Sequence, residues 1–202
     1  MLRHSRLTAA IILVAGALAP GLPATAADPA AFIGNLGSQL EAAVNTASPE
    51  QKLAGFRELL REDFDVPDLG RFVLGRFWRV FTPSEQQEFL GLFENYVVLS
   101  YSDRLSEYAA DGGTLRVTGS RPDPDGTIVF SEITRGAGAQ PVEIDWRLTA
   151  SGGFYKVSDV IVDGLSMAAN GRSELEGVVE RNGGQARAIL AVMRQQIASA
   201  SR

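Results

Sequence analysis

The chain has no cysteine. That excludes disulfides, thiolate metal sites, a nucleophilic thiol and lipid attachment at a lipoprotein-type cysteine. There is one histidine, His4, in a stretch that reads as a cleaved leader, so a mature chain would have none. Ser-His and Cys-His catalytic pairs and imidazole metal sites fall away with it. Lysine is almost absent: Lys52 and Lys156 stand against 17 arginines. There is no internal repeat, low-complexity segment or interdomain linker. No apolar run reaches the about 20 residues of a spanning helix.

The leader reading rests on a basic start (Arg3, His4, Arg6), a short apolar run over 7–19 and the small residues Ala24-Thr25-Ala26-Ala27. This is the pattern of a secretory signal peptide, with cleavage expected after Ala26 or Ala27. Residues 1–27 are therefore assigned to the signal peptide and 28–202 to one domain, expected to be soluble once exported. Without disulfides, the core alone must hold that domain, and a chain 45% hydrophobic has the residues for it. The net charge is −5, and loss of the positive charges of Arg3 and Arg6 takes −5 to −7. Such a balance argues against binding nucleic acid or an anionic membrane through bulk charge.

For an enzyme, carboxylates are the main groups left. Asp63 and Asp65 flank a helix end, Asp123 and Asp125 lie in a Pro-Gly turn, and Asp159 and Asp163 lie on and just after a strand. Each spacing has an ordinary structural cause in helix termination, turn chemistry or a solvent-facing strand. None singles out two carboxylates facing across a cleft, as a glycosidase needs. No catalytic residue, metal ligand or cofactor is assigned. Arg172-Ser173 and Arg104 could pair with an anionic group or with Asp159 and Asp163.

The mature chain opens with helical patterns. Phe32, Leu36, Leu40 and Val44 recur every four residues over 28–47. Ser48-Pro49 begins a second helix with face Leu53, Phe56, Leu59 and Leu60. Pro67 opens a shorter third, carrying Leu69, Phe72, Val73, Phe77 and Trp78. Thr82-Pro83-Ser84-Glu85 has the form of a capping box. It starts a long helix to about Ala110 with a wide aromatic face that includes Phe89, Phe93, Tyr96, Val97, Tyr101 and Tyr108.

Four strands follow, expected over 114–120, 127–134, 142–149 and 154–162. In the third, Val142, Ile144, Trp146 and Leu148 alternate strictly with polar residues, as in a half-buried strand. Ser151-Gly152-Gly153 turns it into the fourth as an antiparallel hairpin. Helices to about Arg181 and from about Gln185 to Ala198 close the chain. The expected fold is α+β: a four-stranded antiparallel sheet embraced by N-terminal and C-terminal helices.

These segments resemble a known family. Gly75-Arg76-Phe77-Trp78-Arg79, Thr82-Pro83-Ser84-Glu85-Gln86 and Tyr101-Ser102-Asp103-Arg104-Leu105-Ser106-Glu107-Tyr108, then Tyr155-Lys156-Val157-Ser158-Asp159-Val160, Asp163-Gly164-Leu165-Ser166-Met167 and Asn170-Gly171-Arg172-Ser173, are similar in order and spacing to the MlaC family, the toluene-tolerance auxiliary transport proteins. The chain departs in having Tyr155 where Trp is common and Met-Ala-Ala between Ser166 and Asn170. The resemblance implies a non-enzymatic periplasmic carrier of phospholipid, or of hopanoid in one branch. It implies an apolar pocket between sheet and helices, and shuttling between an outer-membrane lipoprotein complex and an inner-membrane MCE-domain ABC transporter. A monomer with no cofactor and no nucleic acid is expected. Combined with the strand alternation and helical spacing, it places Val117, Phe130, Ile144, Trp146, Leu148, Tyr155 and Val157 on the inward sheet face. Phe72, Phe93, Val97 and Tyr101 form the helical wall, with Leu165 and Met167 at the strand-to-helix corner. The same residues could instead fill the dry core of a structural or adaptor subunit.

Overall fold

The structure is a computed structural model that describes residues 28–46, 48–110, 113–134, 140–151 and 153–200, without the side chains of 103–110 and 151. The expected leader, 1–27, lies outside the described residues. Helices α1 (Pro29–Val44), α2 (Pro49–Asp63), α3 (Val66–Leu74) and α4 (Pro83–Ala110) precede strands β1 (Thr114–Asp123), β2 (Gly126–Thr134), β3 (Val142–Ser151), β4 (Phe154–Val162) and β5 (Leu165–Ser166). Helices α5 (Met167–Arg181) and α6 (Ala188–Ala200) follow.

Local chemistry sets the helix starts. Asp28, Ser48, Asp65 and Ser166 each turn a side-chain oxygen onto a backbone N–H of the turn they begin. At α4 the capping box closes both ways: Glu85 N donates to Thr82 Oγ1 at 3.3 Å, and Thr82 N donates to Glu85 Oε2 at 2.8 Å. Between α3 and α4, Gly75–Arg79 forms a 3-10 turn, so Phe77 and Trp78 sit in that turn and not in α3.

The sheet is antiparallel throughout, in the order β1-β2-β3-β4-β5. It has five strands where four were expected, because Ile161 and Val162 pair with Ser166 and Leu165. A two-residue strand carries no alternation for a sequence pattern to show. The first hairpin is also tighter than expected: Arg121–Asp123 belong to β1, and Asp123 pairs with Gly126.

Two bulges shape the sheet. The register passes over Thr118 in β1 and over Ser158 in β4. As a result Val157, Val160 and Val162 pair with Leu148, Trp146 and Ile144 and share their face. Period-two reasoning alone sets Val160 and Val162 against Val157; the bulge reverses the parity between them.

Three apolar clusters build the core. One joins the sheet face of Val129, Val142, Ile144, Trp146, Leu148 and Val157 to Ile33 and Leu36 of α1 and Leu59 of α2. A second lies between α2, α3 and α4 at Phe56, Leu60, Val66 and Val98. The third gathers Leu74, Phe77 and Phe89 with Val178, Val179, Ile189, Leu190 and Met193 of the last two helices. Burial of each such side chain stabilises by about 1.5–3 kcal/mol before conformational entropy is subtracted. Helix α4 serves two clusters, the third near Phe89 and the second near Val98. This is why its apolar residues spread around the helix instead of keeping to one stripe.

Candidate functional site

The candidate site is the apolar face of the sheet. Ile144, Trp146, Leu148 and Val157 are buried, and Val117 and Tyr155 pack against them. Cross-strand register explains the convergence: Trp146 faces Val129 and Val160, and Ile144 faces Ser131 and Val162. One polar group is built into the centre. Trp146 Nε1 donates to Ser131 Oγ at 2.9 Å, and Ser131 Oγ donates to the Ile144 carbonyl at 2.9 Å. Trp146 Nε1 and Ser131 Oγ each find an acceptor, so neither buried donor is stranded.

Several expected site residues lie elsewhere. Phe130 pairs with Asp145 and Gly119, so it projects from the opposite face to Ile144 and Trp146. Alternation puts Val129 and Ser131 on one face of β2 and Phe130 on the other, and the pairing of Val129 with Trp146 makes the Val129 face the inward one. Phe72 is 44% exposed under the guanidinium of Arg172, 3.8 Å from its ring centroid. Leu165 is 54% exposed on β5, the edge strand. Neither lines the sheet face.

Phe93, Val97 and Tyr101 gather in the neighbouring cluster with Phe56 and Leu60. Leu40 and Phe64 touch both that cluster and the sheet cluster. The wall directly against the sheet is therefore α1 and α2, through Ile33, Leu36, Leu59 and Phe32, with Phe32 and Tyr155 rings 6.0 Å apart. The four-residue spacing of α1 was legible; nothing local said which layer it would cover. Tyr101 does reach the strand-to-helix corner, where its hydroxyl lies 3.8 Å from Met167 Sδ.

Two small voids lie among helices α3 to α6, and no described sheet residue lines either. One of about 190 Å³ is lined by Tyr96, Leu99 and Ser100 of α4 and Gln196, Ile197 and Ala200 of α6. The other, about 70 Å³, reaches Val73, Phe93, Val178 and Met193. Tyr96 and Gln196 line both.

Four of the six candidate carboxylates are committed to structure. Asp65 caps α3 at Asp68 N. Asp159, buried, accepts from Ser166 Oγ at 2.6 Å and Ala168 N at 3.1 Å, anchoring β4 to the start of α5. Asp163 accepts from Glu143 N at 3.1 Å. Asp123 lies 3.6 Å from Arg121 and 3.9 Å from Arg147. Burial pushes the Asp63 carboxyl up, with Glu62 adding to it and Lys156 opposing. Arg172 meets neither Asp159 nor Asp163; it donates from Nε and Nη2 to the Phe72 carbonyl at 2.8 and 2.5 Å. The Arg104 side chain lies outside the described residues. Among the described residues no group of acidic side chains could hold a metal ion, and no helix is long and apolar enough to cross a membrane.

The arrangement can bury apolar matter between layers. Comparison with known proteins agrees with that chemistry. The family model described as MlaC protein matches residues 35–195. The fold is similar to that of a phospholipid-binding protein from Ralstonia solanacearum, solved in complex with a phospholipid. The TM-score is 0.72 at 21% sequence identity, covering 87% of this chain and 100% of that one. With the family match running through α1–α6 and all five strands, the chain belongs to the MlaC family.

Proposed function

We propose that this chain is a periplasmic lipid carrier. It holds phospholipid acyl chains against the apolar sheet face and shuttles the lipid between an outer-membrane lipoprotein complex and an inner-membrane MCE-domain ABC transporter. Family membership over 35–195 carries the reading. The fold likeness to a protein solved with phospholipid supports it.

The physical chemistry is consistent with that role. Each buried methylene is worth about 0.8 kcal/mol, so one acyl chain brings roughly 10 kcal/mol of gross transfer energy. A carrier must offset nearly all of the membrane's hold and no more, or lipid would not enter and leave. Apolar layers accomplish this without catalytic groups. Because α1 and α2 rest directly on the sheet, an acyl chain would exchange side-chain contacts for ligand contacts at that seam. A binding protein is preferred over an enzyme because four of the six candidate carboxylates, Asp65, Asp123, Asp159 and Asp163, are engaged as a cap, an ion pair and strand anchors.

Native mass spectrometry of the protein purified from periplasmic extract tests this. The expected result is a population heavier than the bare chain by the mass of phospholipid, with that phospholipid recovered on solvent extraction. A bare chain throughout, with no lipid in the extract, would overturn it. A triterpenoid in place of phospholipid would keep the carrier and change its cargo to hopanoid.

A further inference from the structure

We propose that the surface formed by α3, the Gly75–Arg79 turn and the start of α5 docks an acidic face of a protein partner. The arginines divide unevenly over the molecule. Arg57, Arg61, Arg71, Arg116, Arg121, Arg147, Arg187 and Arg194 each have a carboxylate within ion-pair distance. Among the described residues Arg76, Arg79, Arg172 and Arg181 have none; Arg76 and Arg79 share the Gly75–Arg79 turn, and Arg172 packs against that turn. Arg172 packs so close to Gly75 that a methyl group there would meet its Nε at 3.2 Å. Of the acidic side chains beside them, Asp68 is paired with Arg71, and Glu174 accepts from the Asn170 amide with no arginine in ion-pair range. This face of an acidic molecule thus carries three arginines without an ion pair.

That charge is held in place. Arg172 lies over Phe72 and is tied to the Phe72 carbonyl. Arg76 lies over Phe77, 5.0 Å from its centroid, and Arg71 over Trp78 at 5.3 Å. Stacked guanidinium groups keep their planar donors while losing rotamer freedom, so less entropy is left to lose on binding. Exposed apolar groups frame them: Phe72 at 44% and Val80 at 52% are two of the four large exposed hydrophobics among the described residues. Arginine beside aromatic and apolar side chains is the composition of a protein interface core.

Charge complementarity selects the occupant. Electrostatic adsorption to an anionic lipid surface takes a cluster of about 4–8 basic residues. Three unpaired arginines on a chain of net charge −5 fall short, since the remaining surface is repelled. A protein presenting a local patch of carboxylates needs only this face to match, and arginine suits paired carboxylates.

The proposal rests on the carrier reading only for its choice of probe, the purified MCE-domain protein encoded in the same genome. Binding to it is measured by calorimetry for the wild-type chain and for Arg76→Glu/Arg79→Glu, both checked for lipid by native mass spectrometry. Phosphatidylglycerol vesicles serve as the membrane comparison. The expected result is wild-type binding that weakens with salt, at least 10-fold weaker binding by the double variant, and unchanged lipid content. If the reversed pair does not fold, Arg76→Gln and Arg79→Gln replace it, each with a smaller loss expected. No wild-type binding, equal binding by the variants, or binding to vesicles in place of the protein would overturn the proposal. Absence of lipid from the wild-type chain would instead sink the carrier reading, and loss of binding on charge reversal would still support the docking face.

Discussion

Trp146 donates its indole N–H to Ser131 Oγ at 2.9 Å across the β2–β3 ladder, in the middle of the apolar sheet face. The two residues are not directly opposite: Trp146 pairs with Val129 and Ser131 with Ile144, so the bond runs diagonally. Both side chains are buried. Ser131→Ala therefore removes the acceptor and strands a buried donor, at an expected cost of about 1–3 kcal/mol. Trp146→Phe should then restore part of the loss in the double variant, because no donor is left unpaired. Denaturant unfolding of the two single variants and the double variant checks this. Strict additivity would mean the hydrogen bond contributes nothing of its own.

The β1–β2 turn depends on Gly126. Its φ is 156°, and a Cβ there would fall on the carbonyl oxygen of Leu148, a backbone atom of β3 that has no side-chain freedom with which to retreat. Gly126→Ala should cost about 3 kcal/mol, the upper part of the usual overpacking range. For a domain of this size that is a fall in Tm of about 6–12 °C. Gly153→Ala is the comparison: its φ is 87°, but nothing lies within 4 Å of the added methyl. Its cost is backbone strain alone, about 1–2 kcal/mol. Equal melting temperatures for the two variants would refute the steric account.

Much of the fold was legible because local rules and tertiary packing agree. Thr82 and Glu85 announced α4 and do cap it. Val142, Ile144, Trp146 and Leu148 announced β3, and all four are buried. What was hidden lies between elements. The bulge at Ser158 has no signature of its own, yet it decides that Val160 joins Val157 on one face. Alternation within β2 does not say which of its faces looks inward; the pairing of Val129 with Trp146 sets Phe130 on the opposite face. Phe72 follows the helical spacing of a core residue, but Arg172, distant in sequence, covers its ring. Such pairings are tertiary, and spacing within one element does not contain them.

Glu85 joins the start of α4 to the residue before α6. Its Oε1 accepts from Arg187 Nε at 2.5 Å, and its Oε2 also takes the Thr82 N–H. The Arg187 bond, with that from Thr82, holds the carboxyl at about 2, below its ordinary 4.5. A lowered carboxylate pKa stabilises the fold at pH above the unfolded value and loses that contribution as pH falls toward the folded value. Glu85→Gln should thus lower Tm at neutral pH. The gap from wild type should narrow from about pH 4.5 down to about pH 2, and salt should narrow it at neutral pH because the pair is exposed. A gap independent of both would assign the effect to the neutral cap geometry. Glu94 is expected to behave alike: burial raises its pKa, but hydrogen bonds from Arg61 and Arg57 outweigh this and lower it.

The location of the lipid can be separated from ordinary core packing by adding bulk. Ile144 is buried on the sheet face against α1 and α2, and Val97 packs in the adjoining α2–α4 cluster. If acyl chains occupy the seam between these layers, Ile144→Trp and Val97→Trp fill space that ligand otherwise takes. Co-purified lipid should then fall while the lipid-free protein keeps its Tm. If the seam is only core, the same changes overpack it and should cost about 1–3 kcal/mol each. Phe130→Trp controls for added bulk as such, because Phe130 lies on the opposite face across from Gly119; its lipid content should match wild type. Lipid per chain and Tm after delipidation are read on the same preparations. If Ile144→Trp and Val97→Trp both unfold the protein, or both leave lipid unchanged, the ligand does not sit at this seam. If Phe130→Trp alone sheds lipid, the cargo lies on the other side of the sheet.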